Sequence, residues 1–182
     1  ENQDHSVTAQ IYFEPVHYEK EDGAWEDMDN RLTEEGEEFS NEKGKLKIRF
    51  KKQAKEKDTI SITKDGCRLD FKVKSQSPDE ETVLYPEVCK DTDLRCRVFG
   101  EKVKDDLILK TKAAPEYFTF RYRMKGLVSS LVGNTVRFST SEGEEVFCLS
   151  APYMKDGEGR RSEKIALSLE EGKNKECLVT LT

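Results

Sequence analysis

Apolar and mostly cationic side chains alternate with a period of two along Phe118-Thr119-Phe120-Arg121-Tyr122-Arg123-Met124-Lys125, a run that stops at Gly126. A period of two puts successive side chains on opposite faces of extended backbone, so the run predicts a strand with one buried and one wet face. The same alternation recurs in Lys45-Leu46-Lys47-Ile48-Arg49-Phe50-Lys51, in Leu69-Asp70-Phe71-Lys72-Val73-Lys74, in Ile165-Ala166-Leu167-Ser168-Leu169 and in Cys177-Leu178-Val179-Thr180-Leu181. Chains patterned this way form mostly antiparallel sheet with one solvated face. The alternation nominates Ile48, Phe50, Leu69, Phe71, Leu107, Leu109, Phe118, Phe120, Val146, Leu167 and Leu169 as the core.

Turn chemistry separates these runs. Asp65-Gly66 is a strong two-residue hairpin signal, because both positions tolerate positive φ and both flanks alternate. Lys20-Glu21-Asp22-Gly23 supplies a turn before Ala24-Trp25, and Glu142-Gly143 and Gly172-Lys173-Asn174 are weaker turn signals. Ala9–Phe13 and Val16–Tyr18 read as strands interrupted at Pro15, while Pro78, Pro86, Pro115 and Pro152 fall between patterned runs. Leu127–Leu131 and Asn30–Glu38 each have room for one short helical turn, and neither carries a long apolar face. The predicted fold is therefore all-β, an antiparallel β-sandwich of roughly a dozen short strands with little helix. We expect one sandwich-like module over 1–182, with a subdivision near 75–92 as the alternative.

Charged residues make up 37% of the chain and hydrophobic ones 35%, a balance that would mean disorder if the apolar positions were scattered. Their patterning instead predicts a folded domain with a heavily charged surface. The net charge of -6 argues against a general nucleic-acid binder, and no apolar run approaches the length of a membrane span. We accordingly expect no nucleic-acid partner and no membrane insertion. The segment Glu19–Glu42 is dominated by acids and Lys43–Lys57 is rich in Lys and Arg, so the two could face each other across adjoining strands. Cys67, Cys148 and Cys177 sit in or beside strand patterns and are expected to be buried thiols. Cys89 and Cys96 flank an acidic turn, close enough in sequence for a local bridge if strand geometry and compartment allow.

Gly23-Ala24-Trp25-Glu26-Asp27-Met28-Asp29-Asn30-Arg31-Leu32, followed by Asn41–Phe50, resembles a G-x-W-x-x-I/M-D-N-x-L opening found near the front of large bacterial surface and secreted proteins. Those are the DNRLRE-domain proteins and the Rhs or YD-repeat, wall-associated proteins. The resemblance continues through Tyr85–Val88, Val103–Leu109, Phe118–Phe120 and Gly143–Phe147 to Ala151-Pro152-Tyr153-Met154-Lys155-Asp156, which looks like an A-P-x-M-x-D turn. It implies an N-terminal module of a much larger extracellular or cell-surface protein, in contact with other domains of the same polypeptide.

Candidate chemistry is sparse. His5 and His17 are the only histidines, and neither has nucleophile or metal-ligand spacing. Asp91-Thr92-Asp93, Glu21-Asp22 and Asp156-Gly157-Glu158-Gly159 offer oxygen ligands but read as solvated turns. We therefore expect no enzyme, no catalytic or metal-binding residue and no cofactor, and a structural or interaction role. A rival of another class is a glycoside hydrolase-like domain with a converging carboxylate pair. A second rival is binding of a carbohydrate or cell-wall polymer, with Trp25, Tyr12 and Tyr18 as a stacking platform and Lys45, Lys47 and Arg49 as a cationic strand face. Trp25 is expected mainly as a core or edge anchor, and Asp29-Asn30 as a turn that satisfies backbone donors.

Overall fold

The computed structural model describes residues 15–52, 60–71, 77–79 and 82–182, and every regular element among them is a strand. A short ribbon of β1 (His17–Glu19) and β2 (Trp25–Asp27) leads into a meander of β3 (Asp29–Glu35), β4 (Glu38–Lys43), β5 (Lys47–Lys51), β6 (Ile60–Lys64) and β7 (Cys67–Phe71). Next come β8 (Ser77–Asp79), β9 (Thr82–Cys89), β10 (Thr92–Phe99) and β11 (Lys102–Leu109), and then β12 (Phe118–Lys125). The remainder is β13 (Val128–Val132), β14 (Thr135–Ser139), β15 (Glu145–Leu149), β16 (Met154–Lys155), β17 (Arg161–Ser162), β18 (Leu167–Glu171) and β19 (Glu176–Leu181).

The largest sheet has eight strands in the order β18-β19-β12-β7-β6-β5-β4-β3, all antiparallel. The chain leaves this sheet after β7, builds a four-stranded sheet in the order β11-β10-β9-β8, and returns as β12 directly beside β7. It leaves again after β12 to make the three-stranded sheet β13-β14-β15, and comes back to β12 through the β18–β19 hairpin.

Strand alternation decides which face each residue takes. On the inner face of the large sheet Ile48, Phe50, Ile60, Leu69, Phe71, Tyr122, Met124, Cys177 and Val179 are buried. They share one apolar cluster with Val83, Tyr85, Leu94, Cys96 and Val98 of the four-stranded sheet and with Val136 and Phe138 of the three-stranded one. Tyr122 joins the layers, its ring lying 5.3 Å from Phe71 and 5.8 Å from Phe138, both at tilted angles favoured by aromatic quadrupoles. This is an all-β sandwich, as the alternation predicts.

The Asp65-Gly66 turn forms as expected, with φ of 48° and 75° and Lys64 paired to Cys67 across it. The two helical turns considered for Leu127–Leu131 and Asn30–Glu38 do not form. Both segments are largely strand, in β13 and β3, because each finds an antiparallel hairpin partner along one edge, in β14 and β4. Among the nominated core residues, Leu107, Phe118, Phe120, Val146 and Leu169 are half-buried, and Leu109 is exposed at the end of an edge strand. Cys67 and Cys177 are buried, but Cys148 is exposed because the outer face of the three-stranded sheet is uncovered. Cys89 and Cys96 are both free thiols. The strand expected at Ala9–Phe13 lies outside the described residues.

A buried amide pins the start of the basic strand. Asn41, 4% exposed, donates through Nδ2 to the carbonyl of Leu46 at 2.8 Å and accepts from the Ile48 amide at 2.9 Å. Its side chain thus replaces ladder bonds where β4 passes into β5 around Gly44. Removing it leaves a backbone donor and acceptor without partners in a protected place, so Asn41→Ala should cost about 2–4 kcal/mol in urea or guanidinium unfolding. A loss within about 0.5 kcal/mol would show that water satisfies these groups and that the amide is dispensable.

Candidate binding face

The outer face of the large sheet is where charge collects. Register places Lys47, Thr63, Arg68 and Lys125 in one row across β5, β6, β7 and β12, and Arg49, Ser61, Asp70 and Arg123 in the next. Lys51 on β5 and Arg121 on β12 extend the two outer strands of this band. Adjacent strands are about 4.8 Å apart, so four strands make a band about 14 Å across. Arg49 and Arg121 keep 56% and 67% of their side chains exposed, and Lys47 and Lys125 are exposed as well.

The single carboxylate of the band is sealed beneath it. Asp70 is 7% exposed and accepts a hydrogen bond from Ser61 Oγ and a bifurcated one from Arg68 Nε, at 2.7 and 3.0 Å to its two oxygens. Arg68 Nη2 also donates to Ser61 Oγ at 3.0 Å. This triad satisfies the buried acid locally and holds Arg68 flat on the sheet. Acidic side chains line both margins: Glu38 faces Lys51 and approaches Arg49 at 4.0 Å, and Glu176 lies 3.5 Å from Arg121 and 3.4 Å from Arg123. The acidic and basic segments noted in the sequence therefore do meet on adjoining strands, as a rim beside a band. The Arg49–Glu38 pair is exposed and adds little stability, whereas Glu176 is more enclosed. A depression of about 140 Å³ lies at one margin, lined by Glu35, Ser40, Asn41, Glu42, Lys47, Ile48 and Arg49.

Of the residues proposed from sequence, Lys47 and Arg49 belong to this band, and Lys45 is exposed just before it. Tyr12 lies outside the described residues. Trp25 is not a core anchor: it is 70% exposed on β2, opposite Glu19, because the two-stranded β1–β2 ribbon has no sheet packed on that side. Tyr18 pairs with Glu26 instead, donating to its carboxylate at 2.8 Å, so the two aromatics face opposite sides of the ribbon and do not make a common platform. Asp29 satisfies a backbone donor as expected, accepting from the Arg31 amide at 3.0 Å, but it does so at an irregularity at the start of β3 rather than in a turn. Arg68, Arg121, Arg123 and Lys125 were not singled out as site residues from sequence. Their signal was the alternation itself, but only strand order brings them beside Lys47 and Arg49.

At the edge of the four-stranded sheet, Asp105 on β11 stands opposite Cys96 on β10 and shares a hydrogen bond with it. Burial pushes its carboxyl up to about 6, the Asp106 charge adding to this and the Cys96 bond opposing it. Asp105 also keeps exposed surface at the sheet edge. Its neighbour Asp106 faces the other way and pairs with Arg95 and Lys104 at 2.8 and 2.9 Å. The two carboxylates therefore do not converge.

No family model matches the chain, and no solved structure matches it. It is 29% identical over 92% of its length to the tRNA nuclease WapA of Bacillus subtilis strain 168, and 27% identical over the same share to the tRNA(Glu)-specific nuclease WapA of Bacillus subtilis subsp. natto. The chain spans 8% of the length of each of these proteins. It is also 22% identical, over 85% of its own length and 69% of the other, to a wall-associated protein of Geobacillus stearothermophilus. These similarities support the surface-protein context read from the sequence. They overturn two other expectations, that no enzyme and no nucleic acid is involved, since proteins matched along nearly the whole chain are named tRNA nucleases. The expectation of no nucleic acid rested on net charge, which sums over one segment and does not report what the larger proteins containing such a segment act on.

Asp105 supplies a pH test. An acid with a raised folded-state pKa holds its proton more tightly folded than unfolded, so its contribution is full below about 3.8 and is lost as pH rises through about 6. Asp105→Asn should remove that loss, so urea titrations should show the variant gaining on the parent chain between about pH 4 and pH 7. A gap between the two that does not change with pH would contradict the assignment.

Proposed function

We propose that this chain is a wall-contacting β module of a larger cell-surface protein, and that the larger protein acts on tRNA as its relatives' names state. Coverage carries the reading. The chain is a small part of each Bacillus nuclease but 69% of the protein named only for the wall, so the wall name bears more closely on a segment of this size. On this reading it is a module of the Rhs or YD-repeat, DNRLRE-associated kind, working beside other domains of the same polypeptide.

The fold is suited to contact. Both inserted sheets contribute to the core on the inner face of the eight-stranded sheet, and the outer face carries exposed charge over several adjacent strands. A sheet covered on one side and polar on the other offers a broad, stiff surface to a partner.

The test is co-sedimentation of the purified chain with isolated Bacillus subtilis cell walls over a concentration series. We expect saturable pelleting that excess unlabelled chain displaces. Recovery of all the chain in the supernatant, with its circular dichroism unchanged, would overturn the wall reading.

A further inference from the structure

We infer that the band formed by Lys47, Arg49, Lys51, Arg68, Arg121, Arg123 and Lys125 is a docking surface for a linear phosphodiester-linked anionic polymer of the cell wall. This rests on the wall-contact reading above and names the chemistry of the partner.

The first argument is charge complementarity. Within β5, β6, β7 and β12 these seven cations face outward, and the one outward carboxylate among the described residues, Asp70, is enclosed by Arg68 and Ser61. The chain as a whole carries -6, so this concentration of cations runs against the average of its surface. Guanidinium groups suit phosphate oxygens through their forked donors; the band carries four, of which Arg68 is engaged by Asp70 and Ser61 while Arg49 and Arg121 keep 56% and 67% of their side chains exposed.

The second argument is spacing. Cations repeat about every 6.6 Å along β5 and β12, two residues apart, and the two strands are about 14 Å apart. A flexible polyanion with a charge on every repeat can meet several of them at once, whereas a single small anion would meet one or two. The acidic margins at Glu38 and Glu176 repel a polyanion from either side and keep it on the band.

The third argument concerns what is missing from the face. The outward positions of these four strands among the described residues are Lys, Arg, Ser, Thr and Asp, without an aromatic ring. Single-stranded nucleic acid is normally held by stacking bases on aromatic side chains as well as by charge. A surface that offers charge and hydroxyls alone fits a polymer with no bases to stack.

The experiment compares intact Bacillus subtilis walls, the same walls stripped of phosphodiester polymer by hydrofluoric acid, and bulk tRNA, each titrated with the chain. Three proteins are used: the parent chain, the triple variant Lys47→Glu, Arg49→Glu and Lys125→Glu, and a charge-matched control with Lys20→Glu, Lys112→Glu and Lys164→Glu. We expect stripping the walls and the band variant each to weaken binding at least about tenfold, the control to change it less than about threefold, and salt to weaken the parent steeply. Equal binding to intact and stripped walls would overturn the phosphodiester assignment while leaving the wall reading in place. Binding to intact walls that the band variant retains would overturn the site. Tighter, band-dependent binding to tRNA than to walls would overturn the polymer in favour of nucleic acid, and no binding to any wall would remove both readings. Circular dichroism and unfolding curves of both variants confirm that the sheet is intact.

Discussion

The antiparallel pairing of β7 with β12 is the contact on which the rest of this molecule depends. It joins Phe71 to Tyr122, Asp70 to Arg123, Leu69 to Met124 and Arg68 to Lys125, segments separated by the whole four-stranded sheet. Without it the meander β3–β7 and the group β12, β19 and β18 would be two smaller sheets, each with an exposed edge. With it, one face gains the Phe71–Tyr122 contact that carries packing across to Phe138, and the other brings Arg123 and Lys125 beside Arg68. Closing so long an insertion costs chain entropy, which the shared apolar core offsets.

Core and candidate site are thus two consequences of one register. A slip of one residue between β7 and β12 would turn Tyr122 and Met124 outward and Arg121 and Arg123 inward, burying charge and exposing rings. The register is strongly specified by the penalty on both faces at once. That also explains why a chain rich in acids can hold a basic band: positions are assigned by alternation, and apart from Asp70 the acids of this face fall on other strands, at Glu35, Glu38 and Glu42 on one side and at Glu170 and Glu176 on the other.

Much of this was legible in the residues. Alternation in Lys45–Lys51 and Phe118–Lys125 showed which side chains share a face, and Asp65-Gly66 marked its hairpin. What a periodic pattern does not specify is which strand lies next to which, because that is settled by burial of apolar area among segments far apart in sequence. Lys47 and Arg49 could be nominated, but their neighbours Arg68, Arg123 and Lys125 follow only from strand order. The same limit explains Trp25 and Cys148, whose types favour burial but whose local sheets have an uncovered side. Net charge is silent about the band for a similar reason, since it averages over faces that the fold keeps apart.

The central claim is one of location: contact with the wall is made by the outer face of β5, β6, β7 and β12. Backbone amide chemical shifts of the isotopically labelled chain, followed as a purified polyol-phosphate polymer is added, test it most directly. The account predicts shifts concentrated at Lys47–Lys51, Ser61–Thr63, Arg68–Asp70 and Arg121–Lys125 that reverse on adding salt. Shifts centred on Trp25 and the β1–β2 ribbon, or on the three-stranded sheet, would contradict it.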